Sequence, residues 1–244
     1  MARVQSIEAA RHAIALFEQV AQMQPVGVSE LARATELDKS RVQRILLTLH
    51  DANWITPAAG PRRRWQVSSH PLNVLRRAGR LDLLERAVVE MTYLRDEIQE
   101  TAYLSAPQSG RMLVLDVAKS TSQVRIDFNP NDTFSPHSSA AVAILAALPS
   151  DSDPYSLGSQ PNNELAGRVN EAKANGYAVL DAQEYTAFST SIPDETGFPF
   201  AALTVAAPSF RLTRAKRSEI IAALKAASER CAASSTGDVA APGN

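Results

Sequence analysis

The sequence predicts an α+β chain in two parts: a winged helix-turn-helix in front, then strands interleaved with helices behind. Three observations predict it. LDKSRVQRILLTLHDANW (37–54) alternates apolar and hydrogen-bonding residues on a helical beat. NWITPAAGPRRRWQVS (53–68) reads as strand, turn, strand with three adjacent arginines at the turn. Charge is also split along the chain. Residues 1–80 hold 12 Lys+Arg and 6 Asp+Glu, 12 − 6 = +6, and residues 81–244 hold 13 and 20, 13 − 20 = −7. A basic front on an acidic back fits a nucleic-acid module joined to something else, although charge alone does not separate this from chance clustering.

Bulk composition bounds the remainder. With 244 residues, 45% hydrophobic and 21% charged, the chain suits two ordinary globular domains. One cysteine, Cys231, excludes an internal disulfide framework and fits a reducing compartment; it reads as packing or surface, not as a nucleophile. No apolar run has the length of a membrane span and MARVQSIEAARH lacks a signal-peptide core, so the expected location is the cytoplasm, without a membrane partner.

Three helices are expected in the first fifty residues. SIEAARHAIALFEQVAQM places Ile7, Ala10, Ile14, Phe17 and Val20–Ala21 on one stripe with Ser6 as N-cap. SELARAT begins at a second cap, Ser29, with Val28 as a staple before it and Leu31 inside. Asp38 caps the third, where Val42, Ile45, Leu46 and Leu49 recur at i, i+3, i+4, i+7. That core stripe puts Ser40 and Arg44 opposite it, with Arg41 and Gln43 on the flanks. With Lys39 these are the side chains that reach base edges and phosphates in a major groove. Taken alone, the face is as well explained by solvation. The segment after it tips the balance: Trp54–Thr56 and Trp65–Val67 as strands, a turn at Ala59-Gly60-Pro61, and Arg62, Arg63 and Arg64 as a wing that meets phosphate or the minor groove.

Here the chain resembles the IclR family of transcriptional regulators. The resemblance starts at VQSIEAARHAIALFE, continues through LDKSRVQRILLTL, and returns at SPHSSAAVAILAALP (135–149), GYAVLDAQEY (176–185) and AALTVAAPSFRLT (201–213). It implies a DNA-binding domain (1–70), a linker helix (71–80), and a GAF-like α+β effector-binding domain (81–233). The tail 234–244 is expected to be disordered. Implied partners are double-stranded operator DNA, a small organic acid effector and further copies of the chain, as homodimer or homotetramer. No cofactor is implied. The sequence departs from the family pattern at Val142-Ala143, where the family has Gly-Lys, and in a shorter stretch between the domains.

The back half is read as a long helix (81–100) with Leu84, Val88, Met91 and Leu94–Ile98 inward. Strands follow at TAYLS, RMLVLDVA and VRIDF, with a turn at Gln108-Ser109-Gly110. HSSAAVAILAAL and ELAGRVNEAKANG are helices around the polar loop 150–163, the second ended by Gly176. YAVLD and AALTVAA are strands, and Thr213 caps the last helix.

SPHSSAA sets small residues at a helix N-terminus, where free amides and the helix dipole favour a carboxylate. By the resemblance, the effector pocket comprises Ala140 and Ala141 there, with Asp181, Ser189, Ser191 and Thr204, and Ile126 and Phe134 as apolar walls. The polar trio Ser189-Thr190-Ser191 stands where many relatives carry apolar residues or cysteine, which suggests an acid with an added hydroxyl or amide, and an aromatic one. Read without the resemblance, Asp181 and Ser191 are more simply a turn residue and a solvated strand residue.

Two competing functions remain: a hydrolase using Ser138 or Ser139 with His137, and an architectural DNA-binding protein without an effector. No nucleophile-elbow motif, P-loop, dinucleotide fingerprint or metal-ligand spacing occurs, so the expected class is a non-enzyme, and the resemblance makes His137 structural.

Overall fold

The computed structural model describes residues 6–78, 81–149 and 163–233. The tail after 233, the loop 150–162 and residues 79–80 of the expected linker lie outside the described residues. The chain divides into two compact units, Met1–Ala78 and Gly79–Asn244.

The first unit holds α1 (Glu8–Met23), α2 (Val28–Thr35), α3 (Lys39–Asp51), β1 (Ile55–Pro57), β2 (Trp65–Val67) and α4 (His70–Arg77). Asp38 starts α3 as expected, its carboxylate accepting the Arg41 amide at 2.7 Å. The other two starts differ. Ser6 does not cap α1, which follows Ile7 without a side-chain cap. Gly27, not Ser29, precedes α2, and Val28 lies inside the helix. There the Glu30 carboxylate reaches back to the Gly27 amide at 2.7 Å, so the acid replaces the expected hydroxyl.

Leu16, Val20, Val26, Leu31, Val42, Leu46, Ile55 and Trp65 form the core of this unit. The predicted α1 stripe is therefore rotated. Leu16 and Val20 face inward, Phe17 is half-buried, and Ile7, Ala10, Ile14 and Ala21 are exposed. β1 and β2 pair antiparallel in the register Ile55↔Val67, Pro57↔Trp65. Val26 exchanges two backbone hydrogen bonds with Trp65 at 2.8 and 3.0 Å, which fastens the hairpin to the segment before α2.

The second unit begins with α5 (Leu81–Ile98) and builds a six-stranded sheet in the order β5-β4-β3-β8-β7-β6, with every neighbouring pair antiparallel. Its strands are β3 (Thr101–Gln108), β4 (Arg111–Ala118), β5 (Thr133–Phe134), β6 (Ala178–Asp181), β7 (Tyr185–Pro193) and β8 (Pro199–Pro208). Its other helices are α6 (Ser139–Ala147), α7 (Asn163–Asn175) and α8 (Arg214–Ala232). Ser109 and Gly110 alone make the β3–β4 turn, both at positive φ, +48° and +77°. Gly176 sits at φ +75° past α7, and Thr213 caps α8 by accepting the Lys216 amide.

Strand alternation divides the core between two faces. Ala102, Leu104, Phe188, Ile192, Leu203 and Val205 meet α5 and α8 on one. Met112, Ala178 and Ala202 meet α6 and α7 on the other. Two expectations fail here. Residues 124–128 are not a strand; Thr101 holds the Ile126 carbonyl by a side-chain hydrogen bond. β7, which pairs along its full length with β8, was not anticipated. Among the described residues no helix is long and apolar enough to cross a membrane.

Candidate nucleic-acid and effector sites

In the first unit, burial of Val42 and Leu46 fixes the rotation of α3. Lys39, Ser40, Gln43 and Arg44 are exposed, as the periodicity predicts. Arg41 is half-exposed, its guanidinium 3.3 Å from the Glu8 carboxylate. Leu47, also exposed, extends the outward stripe Ser40–Arg44–Leu47 and was missed, although the same i+3 spacing indicates it. An apolar side chain there suits a thymine methyl group.

The wing arginines separate. Arg62 and Arg63 are exposed, the Arg63 guanidinium lying 4.9 Å over the Trp65 ring. Arg64 turns inward instead: its Nε donates to the Pro25 carbonyl at 2.8 Å, and its guanidinium bonds both Glu30 oxygens at 2.9 and 3.1 Å. The anion expected opposite the arginine cluster is, for this one, internal. The Gly27 amide, and next the Arg64 guanidinium, hold the Glu30 carboxyl below its usual range. Gly60, at φ +143°, allows the sharp tip between the strands.

In the second unit the face covered by α6 carries a row of hydroxyls. Ser138 caps α6, its Oγ accepting the Ala141 amide at 3.3 Å. Ser189 Oγ donates to Ser139 Oγ at 2.8 Å and lies 2.8 Å from Thr204 Oγ1, its cross-strand partner. Since Ser189 has one proton and spends it on Ser139, it accepts from Thr204, and the Ser139 proton is left over at the start of α6. Thr204 stands opposite Tyr103 and hydrogen-bonds its phenol, while burial pushes that phenol well above the usual tyrosine range. Ser139, Ser189, Thr204 and Tyr103 are each at most 3% exposed. One step along the same face, the Ser105 hydroxyl is buried without a partner.

A cluster of rings adjoins this row at Tyr103. Tyr103, Phe128 and Phe134 have centroids 4.9, 5.4 and 5.1 Å apart, and Phe128 lies 6.4 Å from Tyr185. Ile126 and Phe134, expected as walls, pack in this cluster, and Ala140 and Ala141 are fully buried at the start of α6. Tyr103, Phe128 and Tyr185 were missed, their signal being aromatic residues that converge only when β3, β7 and the segment before β5 are brought together.

Two expected pocket residues fall elsewhere. Asp181 pairs with Thr186, three residues from Ser189, and strand alternation therefore turns it to the opposite face. There it bonds the Thr186 hydroxyl and Arg217, each at 2.7 Å, and Arg217 holds its carboxyl below the usual range. Ser191 shares the Ser189 face but lines a separate cavity of about 180 Å³ with Ala147, Lys173, Gly176 and Tyr177.

The hydrolase arrangement does not assemble. Ser138 Oγ is spent on its cap, Ser139 is bonded to Ser189, and the Asp181 carboxylate is engaged with Arg217 on the far face. His137 contributes its backbone, the carbonyl accepting Arg168 at 2.8 Å. Burial pushes the Cys231 thiol up to about 12, which fits a packing residue. Among the described residues no His, Cys, Asp and Glu side chains cluster as metal ligands.

Two family profiles match this chain, the IclR helix-turn-helix domain over residues 9–58 and the bacterial transcriptional regulator IclR C-terminal domain over residues 76–233. The chain belongs to the IclR family. It is thus an IclR-family transcriptional regulator with a helix-turn-helix DNA-binding domain and an α+β C-terminal domain. No curated protein matches the sequence. Solved IclR structures share the fold. The Thermotoga maritima IclR is 16% identical with TM-score 0.59, covering 93% of this chain and 98% of its own. An Alicyclobacillus acidocaldarius regulator is 16% identical with TM-score 0.62 over the same shares. A Microbacterium hydrocarbonoxydans IclR homologue complexed with 4-hydroxybenzoate is 16% identical with TM-score 0.66, covering 92% and 97%.

Proposed function

We propose that this IclR regulator reads an operator with α3 and its wing, and that a small aromatic carboxylic acid bound in the C-terminal domain sets operator affinity. Residues 1–70 form the DNA-binding part, 71–80 the linker and 81–233 the effector part. The protein works in the cytoplasm as a homodimer or homotetramer and turns nothing over. Ser40, Gln43, Arg44 and Leu47 face bases; Lys39, Arg41, Arg62 and Arg63 face phosphate or the minor groove. Arg64 serves by anchoring the wing to Glu30 and Pro25.

The observation that carries the effector reading is the buried hydroxyl row that ends at the start of α6 and is joined by a cluster of rings at Tyr103. Ser139 has a proton to give, the Ser139 and Ala140 amides of the first turn have no intrahelical acceptor, and the rings accept a flat apolar body. The relative that carries 4-hydroxybenzoate supports an acid of this kind. The test is a thermal-shift series of aromatic acids on the full chain, each hit then added to operator mobility shifts. An effector at a hundredfold excess over its Kd stabilises by about 2.7 kcal/mol. A series in which no acid both stabilises the protein and alters operator binding refutes the reading.

A further inference from the structure

The chain between β4 and β5, residues 119–132, forms neither helix nor strand, yet it carries Ile126 and Phe128 against the sheet. The Phe128 ring meets Tyr103 at 4.9 Å, Phe134 at 5.1 Å and Tyr185 at 6.4 Å, edge to face each time. Through Tyr103, whose phenol bonds Thr204, this ring cluster adjoins the hydroxyl row.

The backbone of this segment is held at both ends: Asn131 and Asp132 exchange hydrogen bonds with Val114 of β4 at 2.9 and 2.8 Å, and the other end is fixed at the start of β3. Ser120 Oγ donates to the Gln99 carbonyl and Thr101 Oγ1 to the Ile126 carbonyl, each at 2.7 Å. The Ser120 amide donates to Thr101 Oγ1 at 3.1 Å, and Arg211 donates to the Val124 carbonyl at 2.7 Å. Arg211 also pairs at 2.8 Å with Glu100, which is 4% exposed. Gln99, Glu100 and Thr101 are the residues that link α5 to β3. Phe128 lies between these two anchors, one of which adjoins the end of α5.

We infer that Phe128 is an internal occupant of the effector site, exchanged for the ring of an incoming aromatic carboxylate, and that its exit shifts the segment's hold on the α5–β3 joint. The inference rests on the proposed effector reading and deepens it, because the occupant defines the ligand class. An aromatic acid restores the edge-to-face contacts that Phe128 gives up; an aliphatic acid of equal size does not. Selection for an aromatic ring thus comes from the three rings left behind, while the cost of displacing Phe128 lowers the affinity of every ligand alike. The unpartnered Ser105 hydroxyl, buried on the same face, offers a substituent on that ring a hydrogen bond.

The test uses the full chain as wild type, Phe128→Ala and Phe128→Leu. Without ligand, hydrogen–deuterium exchange is expected to accelerate in residues 99–101 and 119–128 of Phe128→Ala; unchanged exchange overturns the inference. Calorimetric titration with benzoate and with cyclohexanecarboxylate is expected to show a wild-type preference for benzoate of about tenfold. In Phe128→Ala both acids bind more tightly by a similar factor, since no ring has to be displaced, and the preference for benzoate stays because Tyr103, Phe134 and Tyr185 remain. Phe128→Leu, which keeps the bulk and loses the ring, should fall between the two. Binding to wild type with the affinities unaltered in both variants defeats the occupant inference alone. Absence of binding by benzoate and 4-hydroxybenzoate to any of the three proteins defeats the effector reading, and this inference with it.

Discussion

Replacing Ser189 by alanine removes one hydroxyl and leaves two others short. Ser139 loses the donor it accepts from at 2.8 Å, and Thr204 loses the acceptor for its proton at 2.8 Å. Both are buried to within 1% of full enclosure, so water does not replace the lost bond. An unsatisfied buried hydroxyl costs about 1–3 kcal/mol, and Thr204 keeps the Tyr103 phenol, so the pair together should cost about 2–3 kcal/mol. For a domain of this size that lowers Tm by roughly 4–12 °C. Fluorescence isolates the effect: both tryptophans, Trp54 and Trp65, lie in the first unit, and all five tyrosines lie after residue 80. The tyrosine-detected transition should fall while the tryptophan-detected one stays. Ser139→Ala/Ser189→Ala should be little worse than Ser189→Ala, because the two substitutions remove the same bond. A tyrosine transition that does not move, or single-mutant effects that add in full, would refute the hydroxyl chain.

In operator titrations by fluorescence anisotropy, Gln43→Ala and Arg44→Ala should each cost about 1–3 kcal/mol and relax specificity at one base pair. Arg62→Ala should weaken all duplexes alike and reduce the salt slope by about one. Arg64→Ala should leave that slope nearly unchanged, its charge being already matched by Glu30. The Glu30 carboxyl lies below its ordinary 4.5, so its support of the α2 start is complete above that pH and is lost as pH falls through the lowered value. A carboxyl NMR titration should show this, with Glu30→Gln less stable than wild type at neutral pH and equal to it in acid. Asp181→Asn should leave the affinity for any acid that binds within about twofold, by calorimetry, since its carboxylate bonds Arg217 on the other face of the sheet.

Local pattern made α3 and the wing legible. A carboxylate cap, four apolar residues at helical spacing and a Gly-Pro turn are each decided within a few residues. In α1 the same method found Val20 and Phe17 but missed Leu16 and included exposed residues, because alanines and aliphatic residues surround that helix and several phases fit equally well. The α2 boundary moved by two residues because Glu30 does the work assigned to Ser29. β7 was illegible because its residues on the α6 face include Ser189 and Ser191 where alternation leads one to seek aliphatic side chains. Residues 124–128 alternate like a strand but are held by Thr101 and Arg211, which no window around them contains. A signature containing Asp181 carries no strand parity. Only its pairing with Thr186, an odd number of residues from Ser189, shows which way it points.

These features bear on how an acid could govern DNA binding. A ligand shifts an equilibrium only by its difference in affinity for the two states. A tenfold change in operator affinity needs about 1.4 kcal/mol, which is the size of one or two aromatic contacts. Exchanging the Phe128 ring alters three such contacts at once, so a partial mismatch between incoming and outgoing ring is sufficient. The residues that register the exchange end α5, and α5 begins at Leu81, three residues after the first unit ends at Ala78. Eighteen residues of helix span about 27 Å. Its inward stripe Leu83, Ala87, Met91, Leu94 and Ile98 is buried along the whole length, so the helix resists bending and a shift at its last turn becomes a shift at its first. A flexible joint at 99–101 would absorb the exchange; a joint fixed by Ser120, Thr101, Arg211 and Glu100 transmits it.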